Sequence, residues 1–171
     1  MIMKLHTKLL TILITLLVGH SYSVMECDTV INNRDTLVAC KVIDREGNII
    51  RHKKYLNGEF HGEQKEWFPD GTLRGIRNYE KGCLTDTTRT YYRSGKLESI
   101  IPYSNCKPSG VPVSFYENGD TASVKIGNTF RSYFENGEPS KIITYNDSGK
   151  PHGLSQTWRE DGTRKDSTVY E

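Results

Sequence analysis

Leucine and alanine are too sparse for a helical bundle, catalytic motifs are missing, and no apolar run is long enough to cross a membrane. The longest run is 9–18, LLTILITLLV, broken only by two threonines. As a helix, ten such residues would span ~15 Å, about half of a bilayer core. The run follows Lys4 and Lys8 and precedes Ser21-Tyr22-Ser23, which places small residues at −3 and −1 of a cut after Ser23. That is the pattern of a cleavable secretory signal over residues 1–23. Glu26 is too large and charged for the position before a lipidated Cys27, so no lipid anchor is expected.

Surplus charge is missing as well. Removing Lys4 and Lys8 lowers the basic residues from 23 to 21, matching the 21 acidic ones. A near-neutral chain argues against nucleic acid or anionic lipid as the main partner, because both need a clustered positive face. The cluster Arg51-His52-Lys53-Lys54 is not repeated downstream and reads as a solvated strand face.

No G-x-S-x-G elbow, P-loop, H-E-x-x-H or calcium loop occurs. Three histidines follow the leader: His52, His61 and His152. His61 and His152 each precede a glycine at one repeat position, which explains them as turn residues. They fall some four rungs apart, too far to share metal bonds of about 2 Å. No catalytic, metal-binding or cofactor-binding residue is therefore expected. An enzyme, for instance a wall hydrolase, is the weakest of the function classes.

The chain is rich instead in aromatics, with 10 Tyr, 5 Phe and 2 Trp, and in glycine, with 15. This composition fits a β protein with many turns. Gly47, Gly71, Gly95, Gly119, Gly137 and Gly162 are separated by 24, 24, 24, 18 and 25 residues. Four positions before them stand Ile43, Trp67, Tyr91, Phe115, Tyr133 and Trp158. Three before stand Asp44, Phe68, Tyr92, Tyr116, Phe134 and Arg159. Eight after stand Tyr55, Tyr79, Tyr103, Gly127, Tyr145 and Tyr170, so tyrosine fills five of six places.

Dipeptides such as Asp70-Gly71 and Asn118-Gly119 supply the positive φ that tight hairpin turns need. Their flanks, such as 63–68 with 72–79, have the length and composition of strands. A second turn falls at 56–58, 80–82, 104–106 and 147–149. Four residues after it come Gly62, Asp86, Gly110 and Gly153. One hairpin cannot fold alone, but a stack of them can. The expectation is an all-β, elongated antiparallel sheet of tandem hairpins over residues 42–171, with a capping hairpin over 24–41 centred on Asn33-Arg34.

Four cysteines follow the leader, an even number in a compartment that permits disulfides. Sequence alone allows three connectivities. The hairpin register sets Cys27 opposite Cys40, and the repeat sets Cys83 and Cys106 on adjacent rungs, so this pairing is favoured.

Neighbouring residues on a strand point to opposite faces. The row four before each glycine is apolar throughout and is expected to face the core. The row three before then faces away, with Phe68, Tyr92, Tyr116 and Phe134 as a central aromatic strip between polar ends. Such a strip is a candidate binding face. The simpler reading is that a thin sheet needs apolar cover on both faces.

Tyr55-Leu56-Asn57-Gly58 leads through His61-Gly62 to Trp67-Phe68-Pro69-Asp70-Gly71. With 148–162 and 133–137, it resembles the MORN-repeat variant family, closest to the bacterial YwqK-type antitoxin-like proteins. The resemblance spans 41–171 and implies an elongated sheet of hairpins with no cofactor and no known catalytic residues. Asp86 and Cys106 stand where that family has glycine. The leading expectation is an exported, secreted or periplasmic module that binds a protein or a cell-surface polymer. The alternative is an antitoxin or immunity-like protein that neutralises a toxin by covering it.

Overall fold

A computed structural model describes residues 7–8, 23–32 and 34–171. The expected leader, 1–23, lies outside the described residues except for positions 7, 8 and 23. All regular structure described is strand. In chain order the strands are β1 (Thr7–Lys8), β2 (Val24–Asn32), β3 (Asp35–Ile43), β4 (Ile49–Leu56), β5 (Glu59–Phe60), β6 (Gly62–Trp67), β7 (Leu73–Glu80) and β8 (Cys83–Tyr91). They continue as β9 (Leu97–Ser104), β10 (Lys107–Pro108), β11 (Val113–Phe115), β12 (Thr121–Ile126), β13 (Thr129–Tyr133), β14 (Pro139–Thr144), β15 (Gly153–Trp158) and β16 (Arg164–Tyr170).

They form one antiparallel sheet that follows the sequence without a crossover, with β5 folded beside β4 and β10 beside β9. The chain is an all-β ladder of hairpins. The N-terminal hairpin pairs β2 with β3 in the register Cys27↔Cys40. Disulfides join Cys27 to Cys40 and Cys83 to Cys106, the pairing that the register favours.

Two turn types alternate. At the first, the Phe68 N–H donates to Thr72 O at 2.8 Å and the Gly71 N–H donates to Phe68 O at 2.9 Å. Asp70 Oδ1 accepts from the Thr72 N–H at 2.9 Å. The same backbone pair recurs at Tyr92, Tyr116, Phe134 and Arg159. A Cβ on Gly71 would meet nothing within 4 Å, so this glycine is required for its φ of 86° alone. The second turn is a two-residue loop with both φ positive, as at Asn57 (52°) and Gly58 (87°).

The non-glycine residues Asp86 (φ 58°) and Cys106 (φ 65°) adopt the same left-handed backbone as the glycines they replace. A Cβ at the equivalent Gly62 would come no closer than 3.9 Å to any atom, so this position has room for a side chain.

Two residues beyond Gly62, Asp86 and Gly153, where a positive φ kinks the chain, lies a column the sequence reading overlooked: Gln64, Thr88 and Ser155. All three are buried. The kink interrupts the ladder between β4 and β6, and Gln64 closes the gap. Its Oε1 accepts from the Lys54 N–H at 2.9 Å, and its Nε2 donates to Lys54 O at 2.9 Å. Ser155 Oγ donates to Ile142 O at 3.3 Å, whereas Thr88 Oγ1 has no hydrogen-bond partner.

Cross-strand partners share a face. One line runs Arg51, Glu66, Gly75, Thr90, Ser99, Ser114, Ser123, Ser132. The line beside it, His52, Lys65, Ile76, Arg89, Ile100, Val113, Val124, lies on the opposite face. They are termed here the serine face and the aliphatic face.

Strand alternation puts the six buried side chains, Cys40, Val42, Gln64, Thr88, Ile143 and Ser155, on the serine face. Trp67, Tyr91, Phe115, Tyr133 and Trp158 lie on the aliphatic face and are half-buried. The expected core side is thus reversed. Apolar type marks the row four before the glycine, but a single-layer sheet has no second layer to cover it. Burial follows the interrupted ladder instead.

Replacing Gln64 by Leu strands the Lys54 N–H, while the Lys54 C=O keeps its bond from the His61 N–H at 3.0 Å, and should cost about 1–3 kcal/mol. Thr88→Val removes an unpaired hydroxyl and should be neutral or stabilising. Urea denaturation of both variants reads the difference.

Candidate functional site

The strip residues Phe68, Tyr92, Tyr116 and Phe134 open the first turn of four successive hairpins. Each is held by its backbone N–H and C=O, and each is half-buried. Alternation puts them on the serine face, at the turn end of the hydroxyl line. The phenol of Tyr92 donates to Phe115 O at 2.6 Å, and that of Tyr116 donates to Tyr133 O at 2.7 Å. Each ring therefore reaches over to the next hairpin and ties the two together. Burial first, and then the charges of Glu98 and Glu117, push the Tyr92 phenol pKa up and keep it a donor.

Phe68 differs from the others. The guanidinium carbons of Arg74 and Arg93 lie 5.6 and 5.5 Å from its ring centroid, a distance that suits a cation on an aromatic face. Arg93 Nε also pairs with Asp70 Oδ2 at 3.2 Å.

Beside Phe68 lies an arginine cluster that no motif announced. Glu66, with its side chain 16% exposed, meets Arg51 Nη2 at 3.2 Å, Arg74 Nη1 at 3.5 Å and Arg77 Nη1 at 3.4 Å. Burial by itself would raise the Glu66 pKa. The charges of Arg51 and Arg74, with hydrogen bonds from Arg51 and Arg77, outweigh that and hold it below the usual carboxylate range. Two hollows of about 260 and 380 Å³ flank this centre. The first includes Arg51, Lys53, Arg77, Phe60 and Tyr79, and the second includes Arg74, Arg93, Phe68 and Tyr92. Tyr55, Phe60 and Tyr79 form a run of rings with centroids 4.9 and 5.1 Å apart.

The hydroxyl line is hydrogen-bonded within itself. Thr90 Oγ1 lies 2.7 Å from Ser99 Oγ, Ser114 Oγ lies 2.7 Å from Ser123 Oγ, and Ser132 Oγ lies 2.8 Å from Ser140 Oγ. A hydroxyl pair uses one donor and one acceptor, so each pair keeps a donor for a ligand.

On the aliphatic face His52 sits between Lys41 and Lys65, with its ring 4.8 Å from that of Trp67. Burial, and then Lys41, Lys65 and Lys54, lower its pKa, so it stays neutral. His61 and His152 flank β6 and β15, eight strand steps apart in the sheet, or about 38 Å. Among the described residues no group of three or more His, Cys, Asp or Glu is placed to hold a metal ion.

The hairpin with its kink, its type of turn and its two aromatic rows recurs through the sheet. The repeat family described as MORN repeat variant matches residues 60–81, 87–105 and 127–147. The chain carries MORN-variant repeats. The three matches fall on β5–β7, β8–β9 and β13–β14 with their turns. The β11–β12 and β15–β16 hairpins repeat the same turn geometry in this MORN-variant sheet. No curated protein matches the chain in sequence.

Because the Glu66 pKa is lowered in the folded state, its contribution to stability is present above the unfolded value of about 4.3. It is lost as pH falls through the folded value. A carbon-detected NMR titration should place the Glu66 midpoint below the ordinary glutamate value of about 4.3. The acid limb of a stability-versus-pH curve should be shallower in Glu66→Gln.

Proposed function

We propose that this MORN-variant protein is an exported, non-catalytic module of the cell envelope that grips an elongated partner on its serine face. The observation that carries the reading is the strip. Four aromatics are fixed at successive turns, two of them by phenol-to-carbonyl bonds, beside a line of hydroxyls with unused donors. Rings whose positions are set before binding lose little conformational freedom on contact, which is what an anchor row needs. MORN repeats are generally non-catalytic, in keeping with a binding role.

Export is supported by the leader pattern of residues 1–23 and by two disulfides, which fit an oxidising compartment. No helix among the described residues is long and apolar enough to cross a membrane. Toxin neutralisation rests on the YwqK-type resemblance, and no residue of the sheet favours it.

The strip tests the proposal if its structural and binding roles are separated. Tyr92→Phe and Tyr116→Phe keep the rings and lose the phenol bonds that fix them, so each should cost about 0.5–1.5 kcal/mol of stability and weaken binding without abolishing it. Phe134→Ser should leave the fold in place and abolish capture of envelope partners in a crosslinking pull-down. Undiminished capture by Phe134→Ser would remove the strip from the binding role.

A further inference from the structure

From the line that joins the arginine cluster to the hydroxyl row, we infer that the partner is a linear acidic polysaccharide lying across the strands. This rests on the binding reading above and gives it a ligand class. Three features on one face point to it.

The first is pitch. Each repeat contributes two strands to the sheet, including the 18-residue repeat that spans β12–β13. The strip residues therefore recur every ~9.6 Å and the hydroxyls every ~4.8 Å. An extended pyranose chain advances by one ring over the shorter step and by two over the longer. It presents hydroxyls and an apolar ring face at each advance. An extended peptide repeats its side chains on one face every ~6.8 Å and falls out of step.

The second feature is the row itself. Thr90, Ser99, Ser114, Ser123 and Ser132 follow one another as register partners. They make a polar floor, with Tyr92, Tyr116 and Phe134 along one side. Apolar ring faces beside hydrogen-bonding hydroxyls suit a sugar better than they suit an apolar segment.

The third is charge. Arg51, Lys53, Arg74, Arg77 and Arg93 border the two hollows against Glu66, Glu98 and Asp70, which leaves a positive surplus. Glu66 accepts four hydrogen bonds from Arg51, Arg74 and Arg77. Each guanidinium has five donors, so most remain free for a carboxylate. Glu66 also sets the geometry of the guanidinium groups in advance. The acidic ring is placed in the hollows beside Glu66, and the rest of the chain runs along the serine line.

Isothermal titration calorimetry of the disulfide-intact protein tests this with four probes. They are a β-1,4-linked mannuronate hexamer, the neutral mannose hexamer, a glutamate hexapeptide and vesicles containing phosphatidylglycerol. The mannuronate hexamer should bind, more weakly as salt is raised. The neutral hexamer should bind about tenfold less tightly. The double variant Arg74→Gln/Arg93→Gln should lose about tenfold for mannuronate with an unchanged melting temperature, because both side chains are more than half exposed.

No binding of the mannuronate hexamer overturns the inference. Equal or tighter binding of the hexaglutamate or of the vesicles overturns it in favour of an acidic protein or a lipid surface. If the glycan fails while Phe134→Ser still abolishes pull-down capture, only the ligand class is wrong.

Discussion

The sheet is held by its backbone ladder far more than by a core. No side chain among the described residues is less than 2% exposed, and only six fall into the buried class. In so thin a structure each interruption of the ladder has to be repaired locally. The type of repair differs by position: Gln64 replaces a missing backbone partner, Ser155 caps a carbonyl, and the Tyr92 and Tyr116 phenols bridge one hairpin to the next. Polar side chains here do work that an apolar core does in a two-layer domain. Their hydrogen bonds depend on neighbouring repeats, so no hairpin is independent.

This explains what could be read in the sequence and what could not. The turn glycines and the aromatic columns are legible because backbone φ and side-chain type repeat at one spacing. The register of the N-terminal hairpin followed from its two strand-like flanks and set Cys27 opposite Cys40, and β2 pairs with β3 accordingly. The column of Gln64, Thr88 and Ser155 was visible at constant offset from Gly62, Asp86 and Gly153. Its meaning was hidden, because residue type does not reveal that the ladder breaks beside it. The core side was misread for the same reason: burial depends on where the kinks fall, and hydropathy carries no record of them.

The arginine cluster was illegible for a different reason. Arg51, Arg74 and Arg77 come from β4 and β7 and stand at unrelated offsets from their turn glycines. Only Arg51↔Glu66 is a register pair, and Arg74 and Arg77 reach Glu66 from the neighbouring strand. The run Arg51-His52-Lys53-Lys54 read as one solvated patch, yet alternation sends Arg51 and Lys53 to one face and His52 and Lys54 to the other. A charge cluster in sequence was not one in space, and the cluster in space had no counterpart in sequence.

The repeat between Gly119 and Gly137 is six residues shorter than its predecessor and still contributes two strands. It lacks the small side strand that β5 and β10 provide in two of the longer units. The spacing of the array is therefore set by the distance between hydrogen-bonded strands and is indifferent to the number of residues per unit. Loops can grow or shrink on either flank, and whole units can be gained, without disturbing the interval at which the sheet presents its side chains. The molecule behaves as a ruler whose graduations are fixed by the peptide group while its length stays open to evolutionary change.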